Sequence, residues 1–198
     1  MFSIGQSGVR LSGFLVGISF VGAALAGCAV GAQDPNGSGQ AAPAPSDSSI
    51  PYPKSPSTMD VCDLLPAQAA ESMGLVPQGE KKSNRLDPSV PPHCSWKSPD
   101  GGTTFSFDAF SGRKIEQYYG NPDNARTFEK VQLVGHPAVL SADAPKQDGT
   151  CSYFWAANDD EVVGSVAQVQ VSERQTKDPC EMAKKAFEMS APTWPAAK

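Results

Sequence analysis

Four of the five cysteines, Cys62, Cys94, Cys151 and Cys180, lie beyond the N-terminal region and restrict the folds open to the chain more than any other feature. An even set in an oxidising compartment reads as two disulfides, and each crosslink dictates which segments must lie side by side. Four cysteines allow three connectivities, and loop length hardly separates them, because doubling a loop changes its closure by only about 0.6 kcal/mol. Local context discriminates better. Cys62 and Cys180 each stand two residues after an aspartate at the start of a helical segment, in Asp60-Val-Cys62-Asp-Leu-Leu65 and Asp178-Pro-Cys180-Glu181. Cys94 and Cys151 each open a strand-like run, Cys94-Ser-Trp96 and Cys151-Ser-Tyr-Phe-Trp155. Each half of the chain thus holds one cysteine of each kind, and the expected pairing is Cys62 with Cys94 and Cys151 with Cys180. A structural zinc, the other use for four cysteines, draws on close Cys-x-x-Cys pairs, and the chain has none.

The oxidising compartment is an inference from the N-terminal region. Phe14 to Ala26 is an apolar run preceded by the single charge of Arg10. It is too short to span a bilayer and has the length of a signal-peptide hydrophobic region. The run ends in Leu25-Ala26-Gly27-Cys28, which resembles a bacterial lipobox, where the cysteine thiol takes up a diacylglyceryl group. Residues 1–27 are therefore expected to be a lipoprotein signal peptide and Cys28 the lipidation site, with the mature chain held on the outer face of the cell membrane. Two acyl chains anchor a protein stably where one is marginal. Residues 28–58, rich in Pro, Ala, Gly and Ser as in Gln40-Ala-Ala-Pro-Ala-Pro-Ser46, cannot bury enough surface to offset their ordering entropy. They read as a flexible tether spanning about 30 Å. Residues 59–198 then form a single globular domain of ordinary size.

Charge narrows the partners. The net charge of -5 moves to -6 once Arg10 is removed, and the basic residues sit in isolated pairs such as Lys81-Lys82, Arg113-Lys114 and Lys184-Lys185. Binding to a phosphate backbone needs clustered Lys and Arg, so nucleic acid is not an expected partner. No second apolar stretch approaches the roughly 20 residues of a membrane span.

Periodicity predicts an α+β fold. Asp178 as cap, Pro179 in the first position and Glu181 where a capping partner belongs predict a helix from Pro179 to about Ser190, with Cys180, Ala183 and Phe187 as its inner stripe. Pro66 and Gly74 bracket a shorter helix from Pro66 to Met73. Asp100-Gly101 separates Cys94–Lys97 from Thr103–Phe110, where Phe105, Phe107 and Ala109 alternate with Ser106 and Asp108. A second hairpin pairs Cys151–Ala157 with Val162–Val171 and places Cys151, Tyr153 and Trp155 on one face. Gly135-His136-Pro137 reads as a turn between strands Val131–Val134 and Ala138–Leu140. The architecture expected is an antiparallel sheet of about five or six strands, with helices packed on one face and two disulfides.

With these elements placed, the chain resembles a family of actinobacterial lipoproteins known as domain of unknown function 3558. The motifs that carry the resemblance are Asp60-x-Cys62-x-Leu64-Leu65, Cys94-x-Trp96, Val134-Gly135-x-Pro137-Ala138, Cys151, and Asp178-Pro179-Cys180 followed by Ala183 and Ala186. Val61 departs from the family's proline. The resemblance implies an exported, lipid-anchored domain with paired cysteines, and it supplies no activity.

Catalytic constellations are missing from the sequence. It contains no Gly-x-Ser-x-Gly elbow, no His-Glu-x-x-His and no phosphate loop. His93 adjoins an expected half-cystine and His136 falls in the expected turn, so both read as structural or exposed. Asp159-Asp160-Glu161 lacks the spaced oxygens of a calcium loop and reads as a solvated hairpin tip. Tyr118-Tyr119 and Trp155 could line an aromatic groove for a sugar or lipid, although core packing is the simpler role for them. No cofactor or metal is implied. The expectation is a non-catalytic binding or interaction module with an envelope ligand or protein as partner, the alternative being an envelope hydrolase or transferase with an unfamiliar site.

Overall fold

The structure, a computed structural model, describes residues 50–83, 87, 89–120, 127–142 and 148–198. The apolar N-terminal run, Cys28 and the tether up to residue 49 lie outside the described residues. Seven strands form one antiparallel sheet: β1 Glu80–Lys82, β2 His93–Lys97, β3 Thr103–Ser111, β4 Thr127–Leu133, β5 His136–Ala142, β6 Thr150–Asn158 and β7 Glu161–Val169. Their spatial order is β1-β2-β3-β7-β6-β5-β4, so the last strand in sequence lies between two meanders. Among the described residues three α-helices accompany them, α1 Ala67–Ser72, α2 Glu116–Tyr119 and α3 Pro179–Ser190. The sheet exceeds the expected five or six strands, because β1 is three charged residues with no apolar alternation to announce it. The fold is mostly β.

Helix α3 forms where its caps require. The Asp178 carboxylate accepts from the N–H groups of Cys180 at 2.8 Å and Glu181 at 3.3 Å, and Pro179 fills the first turn without wasting a donor. Its inner face carries Ala183, Ala186 and Phe187, all fully buried. With α1 it covers one face of the sheet, over an aromatic core of Trp96, Phe105, Phe107, Tyr153, Trp155 and Trp194. Trp155 Nε1 donates to the Leu133 carbonyl at 2.8 Å and Trp194 Nε1 to the Leu64 carbonyl at 2.9 Å. Two indole donors of the core are thereby satisfied, while that of Trp96 has no partner among the described residues.

Cys62 is bonded to Cys94, and Cys151 to Cys180, with Cα separations of 5.0 and 5.1 Å. The first bond ties the turn before α1 to β2, and the second ties β6 to the start of α3. Gly79 lies so close to Cys94 Sγ and the Trp96 ring that no side chain fits there. Each bond closes a loop of about 30 residues and is expected to stabilise the fold by roughly 3.5 kcal/mol through the unfolded chain. A Cys151→Ala/Cys180→Ala variant should therefore melt well below the wild type. A calorimetric midpoint unchanged by that substitution would refute a structural role for the bond.

Three local expectations need correction. Residues 54–58, assigned to the tether by composition, belong to the folded unit: the Lys54 N–H donates to the Ala157 carbonyl and the Ser55 N–H to the Pro195 carbonyl, and Lys54 pairs with Ala196. The turn between β4 and β5 is Val134-Gly135, not Gly135-His136-Pro137. Both residues have positive φ, 53° and 78°, as a two-residue hairpin loop demands. His136 and Pro137 therefore open β5, and Pro137 is tolerated because pairing with β6 starts only at Ala138. Finally, the helices do not all share a face: α2 lies with Ile115 against the side opposite α3.

Candidate functional site

In an antiparallel sheet, residues paired across strands share a face. The face turned away from α3 therefore carries His93, Ser106, Asp108 and Phe110 from β2 and β3, Val162 and Gly164 from β7, Phe154 and Ala156 from β6, Val139 and Ser141 from β5, and Phe128 from β4. Ile115 seals one part of this face against Val139, Ala156 and Val162. The rest stays open. Tyr118 stacks on Phe154 with ring centroids 4.4 Å apart and 27° between planes. Beside this stack runs a groove of about 380 Å³ with buried Val139 in its floor, Phe128 and Ser141 along it, and exposed Arg113 and Gln117 on its rim.

Two cations flank the aromatic cluster. Arg113 lies over the Phe110 ring at 6.0 Å, and Lys130 over Tyr119 at 4.4 Å. Among the described residues Arg113 makes no ion pair. Asp108, half-buried on the same face, also lacks one, and the missing side chain of Gly164 leaves the space its carboxylate occupies. Burial pushes the Asp108 carboxyl up to about 6. The Tyr118 hydroxyl is also raised, mainly by burial, with the Arg113 charge opposing and the Asp108 charge adding to the shift.

Larger depressions are less telling. One of about 670 Å³ lies where the incoming chain meets the C-terminal residues, and no aromatic side chain lines it. Another runs over the charged outer surface of α3 beside Met73 and Lys185. Size alone does not choose a ligand site; an apolar floor with a few converging polar groups does.

The remaining sequence candidates fall elsewhere. His136 is buried against Trp155 at 4.1 Å and bonds the Ala156 carbonyl through Nδ1 at 2.7 Å; burial lowers its pKa. It is a structural residue. His93 stands opposite Asp108 in register, but no hydrogen bond joins the two among the described residues. Asp159 and Asp160 are exposed in the β6–β7 turn, whereas Glu161 is buried at the start of β7 and accepts from the Asn158 side chain. Trp155 belongs to the α3 core, so the structure separates it from Tyr118 and Tyr119.

Sequence reasoning missed Phe154 and Arg113 as groove residues. A signal for Phe154 was present: Tyr153-Phe154-Trp155 is an unbroken aromatic run in a strand, and the period of two forces the middle ring to the face opposite its neighbours.

Comparison with protein families gives a match to the family described as Protein of unknown function (DUF3558) over residues 23–193. The chain belongs to the DUF3558 family. The matched span contains the whole sheet, both disulfides and the groove of this DUF3558 protein. No curated protein and no solved structure matches it. The family description carries no activity, so the chemistry of the open face is what remains to read.

Proposed function

We propose that this DUF3558 protein is an exported lipoprotein, anchored through Cys28 to the outer face of the cell membrane, and that its domain is a non-catalytic binding module of the cell envelope. The observation carrying this reading is the groove beside the Tyr118–Phe154 stack, an aromatic surface on the sheet face that α3 does not cover. A groove with an aromatic wall, an apolar floor and a few polar side chains at its rim has the usual make-up of a ligand site.

One observation favours the alternative, an envelope hydrolase or transferase. Asp108 has the raised pKa of a general acid or base and faces His93, with Ser106 one pair further along β3. A serine nucleophile activated by a histidine also requires a hydrogen bond between the two, and no such bond links Ser106, His93 and Asp108 among the described residues.

Two variants test the proposal. Cys28→Ala should move the protein from the membrane to the soluble fraction and remove the acyl mass from its N-terminal peptide; firm retention at the membrane would overturn the anchor. Ser141→Trp should fill the groove from near the end of β5, where an aromatic residue suits a strand. Released from its own cells at a protease site placed in residues 40–46, the wild-type domain should carry a bound mass in native mass spectrometry that Ser141→Trp lacks. No bound mass, or an equal one in both proteins, would overturn the binding reading.

A further inference from the structure

We infer that the groove takes a single-chain anionic amphiphile, its acyl chain lying between Tyr118, Phe128 and Phe154 over Val139 and its headgroup held by Arg113. This deepens the binding reading above and rests on it. The groove has the volume of a small-molecule site, at the lower end of the usual range. Its walls are aromatic and its floor is Val139, 1 % exposed, while the polar side chains besides Ser141 sit at the exposed rim. A sugar would require donors and acceptors along the walls, because hydroxyls buried without partners cost more than ring stacking returns. A hydrocarbon chain requires none.

The rim supplies the charge. Arg113 is a cation with no carboxylate partner among the described residues, on a chain whose net charge is -5. A guanidinium beside an apolar groove complements an anionic headgroup on an apolar tail, and its fork suits phosphate or carboxylate oxygens. The position fits as well. Ile50 packs against the same cluster as Tyr118 and Phe154, so the chain reaches the domain beside the groove. The stretch from Cys28 to Ile50 extends to at most about 75 Å, which keeps the groove near the lipid surface to which the proposed anchor binds.

The test uses the chain from residue 28 with Cys28→Ala, so that its own acyl groups cannot compete. Myristoyl lysophosphatidylglycerol, the choline lipid with the same chain, and glycerol phosphate are titrated below micelle concentrations. Binding is followed by isothermal calorimetry and by amide shifts at Tyr118 and Phe154. The anionic lipid should bind about tenfold more tightly than the choline lipid, as expected for one charge-assisted contact. Arg113→Gln, an exposed substitution that leaves the fold intact, should erase that preference, and Ser141→Trp should abolish binding of both lipids. Equal affinity for the two lipids, a preference that survives Arg113→Gln, or glycerol phosphate binding as tightly as the lysolipid would each overturn the inference. The last outcome would mark a phosphate site without a chain. If neither lipid binds while the native-mass experiment still finds a ligand lost in Ser141→Trp, the amphiphile is wrong and the binding module stands. If that experiment also finds no ligand, both readings fall.

Discussion

Phe187→Ala should cost this protein about 3–5 kcal/mol, the usual loss when a buried phenylalanine is truncated in a core that cannot collapse. Phe187 is fully buried in the middle of the α3 interface, with Phe107 at 5.1 Å, Trp155 at 5.7 Å, Trp194 at 6.1 Å and Tyr153 at 6.4 Å. These rings belong to β3, β6 and the C-terminal segment, so no single element can move to fill the space. Against a typical total of 5–15 kcal/mol the loss leaves the domain barely folded. Urea unfolding should show a much lower midpoint with an unchanged slope, because the surface exposed on unfolding stays the same. Phe187→Leu should recover more than half of the loss. A cost below about 1 kcal/mol for the alanine variant would show that α3 does not pack on the sheet as described.

Asp108→Asn should do the opposite and stabilise the protein at neutral pH. The carboxyl of Asp108 lies on Gly164 without an ion-pair partner among the described residues, and burial raises its pKa from 3.8 to about 6. The folded state therefore holds this proton more tightly than the unfolded state. Stability from the group is fully present below its unfolded pKa and is lost as pH rises through about 6. At about 1.4 kcal/mol per unit, and allowing for partial exposure, the charged carboxylate costs roughly 2–3 kcal/mol above pH 7. His136 works against this trend, since its lowered pKa withdraws stability as pH falls below its unfolded value of 6.5. His93, opposite Asp108, Arg113 and Tyr118 are likewise present in both proteins. Subtracting the wild-type stability curve from that of Asp108→Asn isolates the carboxyl. The difference should be near zero at pH 3.5 and rise between pH 4 and 7 to a plateau of about 2 kcal/mol or more. A flat difference would show that the carboxylate is solvated.

Elements that declare themselves by local chemistry were legible. The β2–β3 hairpin follows from Phe105 and Phe107 alternating with Ser106 and Asp108 after Asp100-Gly101, and α3 follows from its cap. Strand β1 was not legible, because Glu80-Lys81-Lys82 forms a strand only through its pairing with β2, at an edge where charges are favoured. Helix α2 is a single turn, too short to show a period. The groove was half visible. Tyr118 was a groove candidate for which core packing was the simpler role, its partner Phe154 was hidden between two core rings, and Arg113 looked like ordinary surface charge. Faces of a sheet are assigned by register, and register is a property of pairs of strands that one strand's sequence does not carry.

The position of β7 between β3 and β6 also sets the order in which the chain can assemble. Partners across the β3–β7 ladder are about 50 to 66 positions apart, from Ser111 with Glu161 to Thr103 with Val169. As the polypeptide emerges from its N-terminus, β1 to β3 can meet early, but β3 must wait with one edge unpaired until nearly all of the domain has been synthesised. Such long-range closure is slow, and an open edge in the meantime invites pairing with other chains. Each disulfide lies on one side of this gap: Cys62–Cys94 ties the segment before α1 to the early meander, and Cys151–Cys180 forms within the part that includes β7. Oxidation can therefore secure each half before the two join, so that β7 meets a β3 already fixed in place.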